Sequence, residues 1–429
     1  MDPMTSPGPD DACCPEFAAM SRRGVLRGAL ALGGATFMVG SATVSASASS
    51  PTSAASVLVV LSLRGGADGL SLVVPYGDAG YYQARPTIAV PQDQLLAGTT
   101  DGMFGLHPKL APLSDLWTSG KLAAIHATGL TTANRSHFSA MEEVEEAHPG
   151  SIARVGWLNR LVGAHPVGSG GSPLQGVGIV NGTPPTELSG PVPLMTVGSL
   201  DNASIAGDDP NDTAHMRRRS LHTLWDHDHS AMGTAVRATL EATLDITPAV
   251  DATDNSTSYG GSELGNALAA AARIIRGDVG TEVITVDQGA WDMHVNLGDL
   301  GTGDMIHNAD DLATSIAAFF GDLGTFADKV TLVTISEFGR RVLENGNRGL
   351  DHGWGNVMFV AGAGVKGGQV YLNPTQPWND LSAHLESDLV VTTDYRHVLA
   401  EIVASRFAGA ATSTVFPGLG AYTPVGFMA

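Results

Sequence analysis

Short apolar runs that each end in a turn constrain the fold of this 429-residue chain more than any other feature. The runs cover residues 57–63, 122–127, 282–286 and 330–335. Unbroken runs of this length are typical of strands buried on both faces of a parallel sheet. Helical patterns separate them, at residues 110–119, 138–147, 263–276 and 309–323. This alternation predicts an α/β fold, a three-layer sandwich with a mostly parallel central sheet.

The middle of the chain does not follow this alternation. From residue 168 to about residue 212 it is rich in Gly, Pro, Ser, Thr and Asn, and residues 247–262 are polar. Such composition is typical of loops rather than of sheet strands. We therefore expect an inserted cap at about residues 168–262, within a single domain that spans residues 49–429.

The N-terminus carries an export pattern. Arg22 and Arg23 form a twin-arginine motif, a weakly apolar run follows at residues 28–40, and Ala46-Ser47-Ala48 matches a signal-peptidase site. We expect residues 1–48 to be a twin-arginine export signal and the mature protein to be periplasmic or extracellular. The alternative is a short membrane-anchoring helix. No other stretch approaches the roughly 20 apolar residues of a membrane span, so no membrane anchor is expected after cleavage.

Charge and cysteine usage narrow the range of partners. The chain has 43 acidic and 23 basic side chains and a net charge of -20, so no basic surface is expected for a nucleic acid. Its two cysteines, Cys13 and Cys14, lie inside the expected signal. A mature chain without thiols forms neither disulfides nor thiolate zinc sites, so any metal must be bound by histidine and carboxylate groups.

Acidic residues and histidines cluster where the predicted strands end. The candidate metal ligands are Asp68, Asp287, Asp292, His294, Glu337, Asp351 and His352. Because the carboxyl ends of parallel strands meet at one edge of a sheet, we expect these side chains to approach one another. One or two divalent ions, whether zinc, calcium or manganese, would suit such ligands.

Each candidate also has a structural alternative. Asp68 suits a turn in which its carboxylate accepts hydrogen bonds from backbone amides, and Asp292 suits the N-cap of a helix. Glu337 could pair with Arg340 or Arg341. A shared site accounts for all of the strand-end positions together, and we favour it for that reason.

A second group of polar residues precedes the helical stretch at residue 138. Ser136 is placed to cap that helix, and the same position suits a nucleophile that attacks phosphorus or sulfur. Arg135 would then bind the ester oxygens. Plain capping is the alternative for Ser136. We interpret His126 and His137 as hydrogen-bonded loop histidines rather than as ligands.

Six motifs follow one another along the predicted mature chain. They are Arg64-Gly65-Gly66-Ala67-Asp68-Gly69-Leu70, Leu106-His107-Pro108, Arg135-Ser136-His137-Phe138, Val286-Asp287-Gln288-Gly289-Ala290-Trp291-Asp292-Met293-His294, Ser336-Glu337-Phe338-Gly339-Arg340 and Asp351-His352-Gly353-Trp354-Gly355. In order and spacing they resemble family 1501 of the domains of unknown function. This bacterial family, frequently exported, is related to the alkaline phosphatase and sulfatase superfamily.

The resemblance implies an alkaline-phosphatase-like fold, with Asp68 as a metal ligand on the first strand and Ser136 as the nucleophile. Asp287 or Asp292, together with His294, would bind one metal, and His352 would be the last ligand. Glu337-Phe338 stands where the superfamily has an Asp-His pair, which removes an imidazole from a second metal site. Within the family, Ala290 and Met293 replace the more frequent Gly and Thr.

The sequence therefore predicts an exported, metal-dependent hydrolase that acts on a small-molecule phosphate or sulfate ester. The alternative is a catalytically inactive binding or scaffold protein with the same fold. A metal-free serine hydrolase has less support, since the chain contains no Gly-x-Ser-x-Gly motif.

Overall fold

The computed structural model describes residues 37–39, 42–44, 53–165, 172–180, 183–205, 211, 215–376 and 378–429. These residues contain thirteen β-strands, most of them short. They are β1 (Phe37–Val39), β2 (Ala42–Val44), β3 (Val57–Leu63), β4 (Val73–Val74), β5 (Gly105–Leu106), β6 (Leu122–Gly129), β7 (Gly176–Ile179), β8 (Met195–Val197), β9 (Val283–Gln288), β10 (Val330–Ile335), β11 (Asn356–Gly362), β12 (Val370–Tyr371) and β13 (Thr393–Asp394).

The described residues also form twelve α-helices. They are α1 (Gly69–Leu72), α2 (Ala79–Ala84), α3 (Ser114–Thr118), α4 (His137–Glu146), α5 (Trp157–Ala164), α6 (Met216–Trp225), α7 (Ala231–Asp245), α8 (Thr247–Asp251), α9 (Glu263–Arg276), α10 (Asp304–Leu323), α11 (Tyr395–Arg406) and α12 (Thr412–Val415). None of these helices has the length and apolar character needed to cross a membrane.

Eleven strands form one mixed sheet. Its order is β1-β2-β8-β7-β9-β3-β10-β11-β6-β12, and β13 pairs with β6. Strands β8, β7, β9, β3 and β10 are parallel neighbours, whereas β11 runs antiparallel to both β10 and β6. Strands β4 and β5 form a separate small sheet. The alternation of strands and helices in the sequence thus correctly predicted a mostly parallel central sheet.

Apolar cores cover both faces of this sheet. Because successive residues of a strand point to opposite faces, Val59 and Leu61 of β3 pack on the side of α9 and α10. Leu58 and Val60 pack on the other side, against α4, α5 and α11. Helices therefore flank the sheet on both sides, as the three-layer prediction required.

Part of the segment expected to form a cap belongs to the sheet itself. Strands β7 and β8 extend the parallel strands beyond β9. They are only four and three residues long, too short to be recognised as apolar runs among Gly and Pro residues. The polar segment 247–262 also contains the short helix α8. The expected export signal lies outside the described residues apart from β1 and β2, which extend the sheet from β8.

The topology brings five chain segments to one edge of the sheet. Strands β3, β6, β9 and β10 all end there, and the antiparallel strand β11 begins there. The turns that follow the first four strands and the segment that precedes β11 therefore meet. This is the edge where sheets of this kind place their binding sites.

Candidate metal centre

Three of these segments carry side chains that face one another. His137 is the first residue of α4, Asp292 lies in the turn after β9, and His352 shortly precedes β11. One ligand atom from each lies within 4.8 Å of the others. Nε2 of His137 and Nε2 of His352 are each 3.4 Å from Oδ1 of Asp292. Because ligands about 2.1 Å from one ion lie roughly 3 to 4 Å apart, this cluster could hold a metal ion.

The other ring nitrogen of each histidine has an acceptor behind it. Nδ1 of His137 lies 2.8 Å from Oε1 of Glu337, and Nδ1 of His352 lies 2.8 Å from the carbonyl oxygen of Arg135. Both acceptors require a proton on Nδ1, so each ring presents Nε2 towards Asp292. Contacts of this kind orient the histidines of metal sites.

His137 carries the clearest sign of a cation-binding role. Its Nε2 atom is buried and makes no hydrogen bond of normal geometry. Burial lowers the pKa of His137, but interactions with Asp292 and Glu337 outweigh burial and raise the pKa to about 9. The ring is therefore protonated at neutral pH when no metal is bound. A divalent ion at Nε2 would take the place of that proton, so the residues fit a metal.

Glu337 contacts His137 on the side of the ring that faces away from Asp292. Its Oε1 atom also accepts a hydrogen bond from the backbone amide of Gly65 at 2.9 Å, and Ser336 donates to Oε2 at 3.1 Å. Burial raises the pKa of Glu337, but the hydrogen bond with His137 and other contacts outweigh burial and lower it. A charged carboxylate therefore stabilises positive charge on His137, or on a metal at its far nitrogen.

Asp292 is held in place by a buried arginine. Nη2 of Arg340 donates to Oδ1 of Asp292 at 2.7 Å, and the rest of the guanidinium binds the carbonyl groups of Gly66 and Leu350. Burial raises the pKa of Asp292, but its three histidine neighbours and Arg340 hold that pKa far below the ordinary value. The turn also requires Gly65, because an added Cβ there would lie 2.5 Å from the backbone nitrogen of Asp292.

His294 lies at the rim of the cluster. Its Nε2 atom is 2.8 Å from Nε2 of His352 and 3.1 Å from Oδ1 of Asp292, although His294 is not one of the three residues whose ligand atoms lie within 4.8 Å of one another. Its Nδ1 atom is 3.4 Å from Oδ1 of Asp351. Asp351 therefore contacts the Nδ1 side of the His294 ring, as Glu337 contacts the Nδ1 side of the His137 ring.

Phe338 forms an apolar wall of the site. The centre of its ring is 4.9 Å from that of His137 and 4.7 Å from that of His352. The side chain is buried. It therefore restrains both imidazoles and contributes no ligand atom.

Two of the predicted ligands have other partners. Both oxygens of Asp68 bind the guanidinium of Arg85, at 2.5 and 2.9 Å, and the carboxylate also caps α1. In place of the metal ligand expected on the first strand, the structure thus shows a turn residue in a buried ion pair. Asp287 accepts a hydrogen bond from Nε of Arg64 at 3.0 Å, and Arg64 also pairs with Glu145. Neither aspartate belongs to the cluster of His137, Asp292 and His352.

Ser136 lies in the chain between Arg135 and His137. The carbonyl group of Arg135 contacts His352, and His137 belongs to the cluster. Ser136 occupies the N-cap position of α4, but its side chain makes no capping hydrogen bond. It is half-buried. The guanidinium of Arg135 forms an ion pair with Asp388.

Two residues of the site were not among those predicted from the sequence. His137 resembled a loop histidine, because the sequence does not show that the start of α4 meets the turn after β9. Its place beside Ser136 in a strand-end motif was the available signal. Arg340 had been considered only as a partner for Glu337. His126 is a hydrogen-bonded histidine as expected, although it lies in β6, where its Nε2 donates to the carbonyl of Val73.

Comparison with known families gives a match to a family model. The family model described as "Protein of unknown function (DUF1501)" matches residues 117–376, which include the β6–α4 junction, the turns after β9 and β10, and His352. Comparison with curated proteins finds no match. Since the family model covers more than half of the chain, the protein belongs to the DUF1501 family of proteins of unknown function.

Proposed function

We propose that this protein is an exported, metal-dependent hydrolase of a phosphate or sulfate ester, built on an alkaline-phosphatase-like fold. The proposal rests chiefly on one observation. His137, Asp292 and His352 come from three separate segments, yet their ligand atoms lie within 4.8 Å of one another. Acceptors behind both histidines hold the rings in the orientation that metal binding requires.

The donor set favours one zinc or manganese ion. Imidazole nitrogens suit zinc, the carboxylate of Asp292 suits zinc or manganese, and calcium prefers a shell of oxygens. A second ion has little support, because the remaining strand-end carboxylates are engaged elsewhere. Asp68 binds Arg85, Asp287 binds Arg64, and Glu337 binds His137 and a backbone amide.

Ser136 is the proposed nucleophile. It is next to His137 in the chain, it occupies the N-cap position of α4, and its hydroxyl makes no capping hydrogen bond. A divalent ion at the cluster would polarise the ester and offset the charge that develops on its oxygens. Arg135 would bind a further ester oxygen after exchanging its present partner, Asp388.

The proposed reaction consumes only the ester and water. The Ser136 oxygen forms a bond to phosphorus or sulfur as the bond to the alcohol oxygen breaks, and the hydroxyl proton is delivered to the departing alcohol. Water then attacks the seryl ester, which releases inorganic phosphate or sulfate and restores the serine hydroxyl.

Replacing Ser136 tests the nucleophile directly. We expect Ser136→Ala to lower turnover of a responsive ester by at least about a hundredfold while metal content and folding are retained. Ser139→Ala, an exposed serine on the same helix, is the matched control. Full turnover in Ser136→Ala, combined with loss of activity on chelation, would exclude Ser136 as the nucleophile.

The alternative function is that of an exported binding or scaffold protein. Metal binding without turnover across a broad panel of phosphate and sulfate esters would favour it. Export itself is tested separately by replacing Arg22 and Arg23 with lysine, which should leave the precursor in the cytoplasm. Undiminished export of that variant would exclude the twin-arginine route.

A further inference from the structure

The carboxylate that pairs with Arg135 belongs to a nearly buried side chain. Asp388 is 10% exposed in its side chain, and its Oδ2 atom forms the ion pair with the Arg135 guanidinium. The second oxygen, Oδ1, is buried and makes no hydrogen bond. The carbonyl group of Arg135 contacts Nδ1 of His352, so Arg135 connects Asp388 to the candidate metal centre. Among the described residues, Arg135 is the one cation that pairs with this carboxylate.

A second arginine, Arg341, lies directly opposite Asp388. The two residues form an isolated antiparallel β-bridge, and the amide of Val342 donates to the carbonyl group of Ser387 at 3.2 Å. This pattern is that of a non-hydrogen-bonded pair, in which the Cα atoms are about 4.5 Å apart. The side chains of such a pair are neighbours on the same face. The long side chain of Arg341 is therefore placed to reach the Asp388 carboxylate.

The guanidinium of Arg341 has no partner in the part of the chain that the structure describes. The residue is half-buried, and its side chain makes neither a hydrogen bond nor an ion pair there. The other described arginines outside α6 each bind a carboxylate or a backbone carbonyl group. Arg341 is thus available for a carboxylate that loses its present partner.

Asp351 is the other carboxylate on which Arg341 acts. Burial raises the pKa of Asp351, but hydrogen bonds to the carboxylate and the positive charge of Arg341 are among the interactions that lower it. The Asp351 side chain is 58% exposed, so water screens this attraction. Asp351 therefore does not hold Arg341 away from Asp388.

Substrate binding by Arg135 would leave Asp388 without a cation. In the proposed function, the Arg135 guanidinium leaves Asp388 and binds an ester oxygen. A buried carboxylate that loses its counter-charge is strongly destabilised. Unless another cation replaces Arg135, that penalty offsets the affinity that Arg135 gains from the ester.

We propose that Arg341 takes over Asp388 when Arg135 moves to the substrate, with the unpaired Oδ1 atom of Asp388 as its acceptor. Arg341 is then a positioning residue, because it acts on the ester through Arg135 and does not contact the ester itself. This inference rests on the proposed function, which assigns the ester oxygen to Arg135.

Removing the charges of Arg341 and Asp388 in turn tests the exchange. We compare the metal-loaded wild type with Arg341→Gln and with the double variant Arg341→Gln, Asp388→Asn, using phenyl phosphate and phenyl sulfate. We expect Arg341→Gln to lower kcat/KM about tenfold, mainly through KM, and Arg341→Lys to retain most of it. Adding Asp388→Asn should restore most of the loss, because a neutral amide needs no cation when Arg135 leaves.

Arg348→Gln is the matched control. Arg348 is exposed and pairs with Asp299, so its replacement should leave both kinetic constants unchanged. Metal content should be the same in all variants. A purely structural role for Arg341 would not produce the rescue, since a second substitution that removes an ion pair does not repair a damaged fold.

The outcomes separate this inference from the proposed function. Full kcat/KM in Arg341→Gln would overturn the exchange, and so would a loss that Asp388→Asn does not restore, because Arg341 would then act on the ester directly. If the wild type turns over neither ester, hydrolysis is contradicted and calorimetry with inorganic phosphate replaces kinetics. Phosphate affinity that falls about tenfold in Arg341→Gln and recovers in the double variant would still support the exchange. Metal-loaded wild type that does not bind phosphate would overturn it.

Discussion

Nδ1 of His137 lies 2.8 Å from Oε1 of Glu337, a contact that joins residues 200 positions apart in the chain. It connects the start of α4 to the end of β10. The carboxylate therefore lies behind a candidate metal ligand, and it fixes which ring nitrogen faces Asp292. Glu337, one of the acids that the sequence offers as candidate ligands, thus contacts the cluster without belonging to it.

Replacing Glu337 with glutamine tests that positioning role. Glutamine keeps the shape of the side chain and an oxygen that can accept the hydrogen bond from Nδ1 of His137, but it removes the negative charge. We expect Glu337→Gln to weaken metal binding by about 10- to 100-fold without unfolding the protein. Competition with a chelator of known affinity measures the change.

Glu344→Gln is the matched control for this substitution. Glu344 accepts hydrogen bonds from the backbone amides of Thr87 and Ile88, which are not residues of the cluster of His137, Asp292 and His352. We expect its replacement to leave metal affinity unchanged. Equal affinities in the wild type and in Glu337→Gln would show that the contact with His137 does not support metal binding.

The ion pair of Asp68 with Arg85 predicts a loss of stability and not a loss of metal. Arg85 is fully buried, so Asp68→Asn leaves a buried guanidinium without its counter-charge. We expect the free energy of unfolding to fall by about 3 to 5 kcal/mol, with metal content per folded molecule unchanged. Asp299→Asn breaks the exposed pair with Arg348 and should cost at most about 1 kcal/mol. Loss of bound metal in folded Asp68→Asn would contradict this account.

We expect the folded protein to lose stability in weak acid because two of its histidines are buried. Burial lowers the pKa of His107 and of His126 to about 4. An unfolded histidine takes up its proton near pH 6.5, so the stabilisation is full above about pH 6.5 and is lost as the pH falls towards 4. The loss at about pH 5 is on the order of 1 to 2 kcal/mol per histidine. Urea unfolding across this range measures it, and His126→Gln should show a shallower fall. An identical pH profile in the variant would exclude His126 as a contributor.

The main strands could be predicted from sequence because burial on both faces gives them uninterrupted apolar runs. The predicted runs 57–63 and 330–335 coincide with β3 and β10. Strands β7 and β8 could not be recognised, since three or four residues between Gly and Pro carry no periodic signal. Their place in the sheet comes from tertiary pairing with β9.

The candidate site could likewise be predicted only in part from the sequence. Topology rules place strand ends at one edge, which is why Asp292 and His352 could be proposed together. The sequence does not show which acid meets which arginine. Asp68 and Asp287 lie next to glycine-rich turns as Asp292 does, yet they pair with Arg85 and Arg64 outside the cluster, whereas Asp292 pairs with Arg340 within it. The positive φ of Ala290, +66°, likewise explains why a glycine suits that position in the turn after β9.

The metal content of the purified protein tests the central claim most directly. Elemental analysis should find about one equivalent of zinc or manganese in the wild type. The Asp287→Asn variant should bind the same amount, because the Asp287 carboxylate pairs with Arg64 in the wild type. Asp292→Asn and His352→Ala should each lose that ion, because each removes a ligand of the cluster. Wild-type protein without bound metal after incubation with either ion would contradict the account, as would an Asp292→Asn variant that retains a full equivalent.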